Sequence, residues 1–314
     1  MPNRERGYRT DDRLVLRTAI GQYPHTSALR DGRISSNLVT LDFADIATIN
    51  RAFAPMVREQ RFDVSEMAIA TFLQAKAFGK PLVLLPVALA ARFQQSALLC
   101  RADSDIRGPH DLAGRRVGVR AYSQTTGVWL RGMLADAFGV RPEQVRWITF
   151  EDAHVAEYQD PPWAERAPPG KELLAMLRHR ELDAVIVGND VPNDPTLRTV
   201  FPDPEAAAEC FWHEHGFVPV NHLVTVRAEI ARSRPDVIFE LVRLFRDAKA
   251  TAPPRRDSRD PYPCERKALA PAVELALRYA VEQGLLPRRL DAANVWEGLP
   301  PAFASGQPPV QRCG

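Results

Sequence analysis

Apolar positions along this chain fall into two patterns, short continuous runs and runs at helical period, and their alternation marks out its elements. Leu14–Ile20 reads as a first strand and Leu38–Leu41 as a second, while Asp45–Glu59 carries helical periodicity. Arg61–Met67 predicts a short strand running directly into a helix that continues through Leu73 to Ala77, and Pro81–Val87 and Ser96–Cys100 predict two more strands. A second series begins at Asp111. In it Arg116–Val119 is a β-branched strand, and Leu130, Met133, Leu134, Ala137 and Phe138 then recur at helical spacing. Val145–Phe150 and Asp183–Val187 read as strands flanking a helix over Glu172–His179, with the proline-punctuated stretch 160–170 read as loop. Thr199–Phe201 is a short edge strand, Glu205–His215 a helix and His222–Val226 a strand. Pro235–Lys249, Glu265–Glu282 and a short stretch near Asn294 are helical, and the Pro-rich tail from Pro300 reads as loosely attached.

Strands alternating with helices imply mostly parallel sheets in an α/β protein. The order fits two lobes: residues 1–98 and 224–314 form a discontinuous lobe I, and 99–223 an inserted α/β lobe II. Crossings near Ser96–Arg101 and Pro219–Val226 would form the hinge. Ligands in open α/β sheets bind beyond the carboxyl ends of strands, and here two such edges would face one another across a cleft. The turn Arg120–Thr126 lies at one of these edges, with Ser123 as expected N-cap. The first helical turn after it, Gln124-Thr125-Thr126-Gly127, has no Asp or Glu. A helix N-terminus without its own acid presents free N–H groups and partial positive charge to an outside anion.

Charge narrows the partners. Across 314 residues the formal net charge is only +2, so no general basic field points to nucleic acid or an anionic membrane, and any attraction for anions is local. No apolar run is long enough to span a membrane. Met1–Gly7 is polar with no apolar run after it, and Cys100, Cys210, Cys264 and Cys313 are scattered without a CxxC, so a cytoplasmic setting is expected. The sequence leaves a homo-oligomer open. It contains no Gly-x-Ser-x-Gly elbow, no P-loop and no dinucleotide Gly fingerprint, so no cofactor is expected. His213 and His215 stand at i and i+2 on a predicted helix, on different faces, and no metal is expected.

Phe62–Met67, Asp111–Val119, Val128–Leu134 and Phe217–His222 resemble the 4,5-dihydroxyphthalate decarboxylase family, with matches from Thr18 to Lys249. That family is similar to type 2 periplasmic binding proteins, the solute-binding lobes of ABC importers. The resemblance implies a two-lobed α/β fold with a hinge and an interlobe cleft. It also implies a carboxy-lyase, a carbon–carbon lyase acting without cofactor on a small hydroxylated aromatic acid such as a phthalate in aromatic degradation. It places a histidine at His222, with the expected role of general acid toward the ring carbon. Glu66 has two readings. Just past Ser65 at a helix start, it is favoured by the helix dipole alone; facing the cleft, it repels the departing carboxylate or holds a catalytic proton.

Arg92 and Arg120 are candidate carboxylate clamps. His25 is a candidate partner for a phenol or carboxylate, beside Tyr23 on the turn after the first strand. Tyr122 and Trp129 are candidates for stacking on an aromatic ring, or are core. Ser65, Ser123, Gln124, Thr125, Thr126 and Asn189 complete the expected substrate contacts, together with Gln94, Gln95 and Ser96. At the last three the chain departs from the family pattern: where Arg-Phe-Arg-His-Ser is expected, Arg92-Phe93-Gln94-Gln95-Ser96 stands. An amide donates hydrogen bonds to a carboxylate but supplies neither full charge nor a proton near neutral pH. This keeps a second reading open, a non-catalytic solute-binding or sensing protein for a small carboxylate.

Overall fold

The computed structural model describes residues 13–189, 191–255 and 257–305; Met1–Gly7, Cys313 and the tail beyond Ser305 lie outside the described residues. Two mixed sheets carry the fold. The first has the order β2 (Val39–Phe43), β1 (Leu14–Ala19), β3 (Val64–Ala68), β11 (Val220–Arg227), β4 (Leu82–Ala91). The second runs β10 (Leu197–Thr199), β5 (Leu98–Arg101), β9 (Ala184–Ile186), β6 (Arg116–Val119), β7 (Arg146–Thr149), β8 (Ala164–Arg166). Helices cover both sheets, giving the two-lobed α/β architecture that the alternation of patterns implies.

Several elements differ from the sequence reading, each for a local reason. β11 runs antiparallel between β3 and β4, and β5 runs antiparallel to both its neighbours, so neither sheet is purely parallel. β11 lies in the first sheet from Val220 onward, so the return to lobe I comes before residue 220 rather than at 223–224. The proline-punctuated loop contains β8, an edge strand, where prolines nearby cost no ladder bonds. Asp45–Thr48 is not helical: a 3-10 turn over Ile49–Ala52 leads into the helix Phe53–Glu59. β3 continues to Ala68 before the helix Ile69–Ala77 starts, which makes Ser65 and Glu66 strand residues rather than a cap and its neighbour. The N-cap of the helix Thr125–Phe138 is Gln124, not Ser123. Phe303 stacks on Phe239 with ring centroids 4.7 Å apart, so the tail is anchored to the body up to that point.

The lobes share a buried seam. The closing helix Arg266–Glu282 packs against the helix Ile69–Ala77 and β4 of lobe I, and also against the helix Thr125–Phe138 of lobe II. Tyr279 donates to Asp136 at 2.7 Å, and Gln283 accepts from Arg131 Nε and donates to the carbonyl of Val128, each at 2.8 Å. Arg131 is buried, its guanidinium 3.9 Å from the Tyr122 ring centroid and 5.1 Å from that of Trp147. Gly132 permits this seam: a Cβ there would lie 2.2 Å from the Tyr279 ring. Gly132→Ala is therefore expected to destabilise the protein by about 1–3 kcal/mol, read from the urea midpoint, because the fully buried ring has no free space to move into.

Candidate functional site

A cavity of about 450 Å3 lies between the lobes, at the strand ends the topology turns toward each other. From lobe I it takes Thr71, Asn221 and His222, with Phe53 as an aromatic wall; from lobe II it takes Arg120, the run Ser123–Thr126, His154 and Asn189.

The chemistry is organised by Glu66. Its register opposite Val224 makes His222, two residues away and opposite Ala68, a diagonal neighbour on the same face of the sheet. His222 Nδ1–H donates to Glu66 Oε1 at 2.6 Å, the Tyr23 hydroxyl donates to the same oxygen at 2.7 Å, and the Gly21 N–H donates to Oε2 at 2.8 Å. Glu66 is 0% exposed and does not line the cavity, whereas His222 does. The carboxylate therefore sits behind the imidazole. It fixes the proton on Nδ1 and leaves Nε2 for the cavity. Burial and the adjacent Glu66 carboxylate hold the Tyr23 phenol far above its ordinary range, so Tyr23 stays a donor to Glu66. A side chain at position 21 would lie 2.7 Å from the Tyr23 ring, so glycine there is what lets the ring reach Glu66.

Two helices start at the cavity. Ala68 and Thr71 belong to the beginning of Ile69–Ala77, and Gln124, Thr125 and Thr126 to that of Thr125–Phe138; neither first turn contains an acid. Both helix ends direct partial positive charge to one space. Arg120 lines it too, but is engaged with Glu151 at 2.9 Å.

The structure places other expected contacts elsewhere. Arg92 donates to Thr126 Oγ1 and to the Gly188 carbonyl, each at 3.1 Å, and stands behind the wall as a support for it rather than as a clamp. Gln94 is buried and holds Asn221 Oδ1 at 2.8 Å, while Gln95 donates to the Ala207 carbonyl and Ser96 is exposed; none of the three lines the cavity. His25 is stacked between Tyr23 and Tyr262, donates Nε2–H to the Leu89 carbonyl at 3.0 Å, and is pushed down in pKa by burial. Tyr122 and Trp129 are fully buried core, their polar atoms paired with Trp163 and with the Val220 carbonyl. Ser65 donates to the Glu66 carbonyl within the sheet.

Sequence reasoning missed His154, Thr71, Asn221 and Phe53. His154 sits four residues past the predicted strand Val145–Phe150, and position after a strand end was the available signal. Its Nδ1 lies 2.7 Å from Thr71 Oγ1, and its ring meets Phe53 edge-on, as the His222 ring does. Burial, with Arg120, Arg58 and His222 nearby, lowers the His154 pKa to about 4. Since the folded value lies below the ordinary 6.5, the unfolded chain binds the proton first as pH falls between them. The contribution to stability is full above pH 6.5 and declines toward pH 4, by roughly 2–3 kcal/mol in all. Urea unfolding at pH 7.5 and pH 4.5 is expected to show a larger acid loss in the parent protein than in His154→Gln.

Residues 50–159 match the family described as NMT1/THI5 like. A protein named 4,5-dihydroxyphthalate decarboxylase from Comamonas testosteroni is 28% identical over 303 residues, covering 90% of this chain and 86% of its own. One of the same name from Pseudomonas putida is 28% identical over 210 residues, covering 63% and 81%. Among solved structures, the periplasmic aliphatic sulphonate binding protein SsuA of Escherichia coli superposes with a TM-score of 0.58 at 15% identity, over 91% of this chain and 98% of that one. The alkanesulfonate-binding protein SsuA of Xanthomonas axonopodis pv. citri, bound to MOPS, gives 0.57 at 13%, over 90% and 97%. The chain is thus similar over most of its length to proteins named 4,5-dihydroxyphthalate decarboxylase, and it carries the two-lobed α/β fold of the sulfonate-binding proteins.

Proposed function

We propose that this protein is a cofactor-independent carboxy-lyase that removes CO2 from a small hydroxylated aromatic acid held in the interlobe cavity. The observation that carries this reading is the chain Tyr23–Glu66–His222, which ends in an imidazole nitrogen open to the cavity. A buried carboxylate behind one imidazole fixes its tautomer and balances its positive charge, which suits an imidazole that holds and delivers a proton. In the proton-loaded state Nε2–H faces the ring, and Glu66 balances the imidazolium charge from behind. Transfer of that proton to the carbon bearing the carboxylate, followed by departure of CO2, restores the aromatic ring. The helix starts at Ile69 and Thr125 receive the anionic groups of the substrate, with Thr125, Thr126 and Asn189 as side-chain donors. The names of the two relatives support the reaction class and a phthalate-like substrate.

The fold shared with sulfonate-binding proteins supports a second reading, ligand capture without chemistry. Purified protein incubated with 4,5-dihydroxyphthalate and related hydroxybenzoates separates the two when CO2 release is followed beside thermal shift. Release is expected, falling by about 10²–10⁴-fold in His222→Gln with the melting transition kept. Thermal stabilisation with no CO2 from any acid in the panel would establish the receptor reading instead.

A further inference from the structure

The cavity holds a second imidazole that the Tyr23–Glu66–His222 chain does not use. His154 comes from lobe II, on the segment after β7, yet everything that fixes it belongs to lobe I. Thr71 Oγ1 meets its Nδ1 at 2.7 Å, and Phe53 packs against its ring with centroids 5.6 Å apart. Arg58 donates to the backbone carbonyls of Ala153 and His154, at 2.9 and 2.8 Å. The ring is thereby held at Nδ1 and against Phe53, and its backbone by Arg58, while the residue still lines the cavity. The charged groups around it are Arg58 and Arg120, which oppose an added proton, with His222 across the Phe53 ring and Glu151 and Asp152 on the adjoining wall. The Thr71 contact can run either way; with Nδ1–H given to the threonine hydroxyl, Nε2 is a bare acceptor. Glu151 and Asp152 also bring acceptors to this wall, each ion-paired to an arginine, Arg120 and Arg166, whereas the His154 ring is held by a hydroxyl and a phenyl ring.

We propose that His154 reads a ring hydroxyl of the ligand, accepting its hydrogen bond through Nε2, and so makes the site selective for hydroxylated aromatic acids. Recognition of the hydroxyl is independent of turnover. The further step rests on the carboxy-lyase reading. In it the hydroxyl keeps its proton, hydrogen-bonded to His154 Nε2, and an oxygen electron pair moves through the ring to the para carbon that bears the carboxylate. That carbon takes the proton of His222 Nε2–H. The bond to the carboxylate then breaks, CO2 leaves, and its electron pair restores the ring and the neutral hydroxyl. Solvent returns a proton to His222, so one proton is consumed for each CO2 released. The two imidazoles then have different tasks, one accepting a hydrogen bond from oxygen and the other giving a proton to carbon.

Calorimetric titration with 4,5-dihydroxyphthalate and with phthalate, which lacks the hydroxyls, tests the assignment without requiring turnover. The parent protein is expected to bind the hydroxylated acid more tightly by about tenfold. In His154→Leu that preference is expected to fall to about twofold or less, and in His154→Gln, whose amide oxygen still accepts, to survive in part. Thr71→Val, which loses the hydroxyl that orients the ring but keeps its shape, is expected to weaken the preference without removing it, and it serves if His154→Leu does not fold. An unchanged preference in the Leu and Val variants, or no preference in the parent, overturns the proposal. A preference lost in His154→Leu while the parent releases no CO2 upholds the recognition role and defeats only the carboxy-lyase reading.

Discussion

Everything at the site depends on one buried carboxylate. Glu66 is shielded from water, and a charge in that position costs several kcal/mol unless its oxygens are fully engaged. Its three donors come from two separate stretches: the backbone at Gly21 and the phenol of Tyr23 on the turn after β1, and the imidazole of His222 on β11. The turn after β1, the middle of β3 and the start of β11 must therefore align together, and His222 inherits its orientation from that alignment. The inserted lobe intervenes between β4 and β11, so the chain leaves this sheet, builds a second one and returns before the triad is complete. A histidine delivered by the returning strand can act only once the whole chain has folded.

The helix starts at the cavity favour an anion without a strong net field. With a formal charge of +2 for the whole chain and Arg120 engaged by Glu151, the attraction comes from the starts of two helices that converge on one space. Helix N-termini fix donors in place and carry only partial charge, so they hold a carboxylate firmly in direction while leaving the site able to release it. The departure at Gln94 and Gln95 fits this arrangement, because both amides lie behind the wall, and Gln94 acts through Asn221 by holding its carbonyl oxygen.

The contacts between lobes are unequal in kind. The seam along Arg266–Glu282 is buried, with Tyr279 over Gly132 and Arg131 enclosed between aromatic rings. At the cavity the lobes meet through polar contacts, Arg58 on the carbonyls of Ala153 and His154 and Thr71 on the His154 ring, with Lys80 and Glu157 paired at 2.5 Å nearby. Exposed ion pairs contribute little and are screened by salt, whereas buried apolar packing is not. The polar contacts that carry His154 to the cavity are thus far weaker than the seam that joins the lobes.

The sequence by itself determined the alternation of strands and helices, the insertion of one α/β lobe into another, and an acid-free helix start after Ser123, which the structure moves by one residue to Thr125, because periodicity and composition are local properties. It also singled out His222 and Glu66, through short segments similar to a known family. It left Glu66 between the strand Arg61–Met67 and a helix start just past Ser65: Val64–Ala68 buries every side chain, and an all-buried strand has no alternation to distinguish it from a helix start. Nor did it separate lining residues from supporting ones. Arg92, His25, Tyr122 and Trp129 are residue types that suit a binding site as well as a core, and only their tertiary neighbours decide which they serve. For His154 the sequence offered only its place past a strand end, and nothing that set it apart from its neighbours there. Its partners Phe53, Arg58 and Thr71 lie in the other lobe, far away along the chain, and a contact made by folding two lobes together leaves no trace in the spacing of residues.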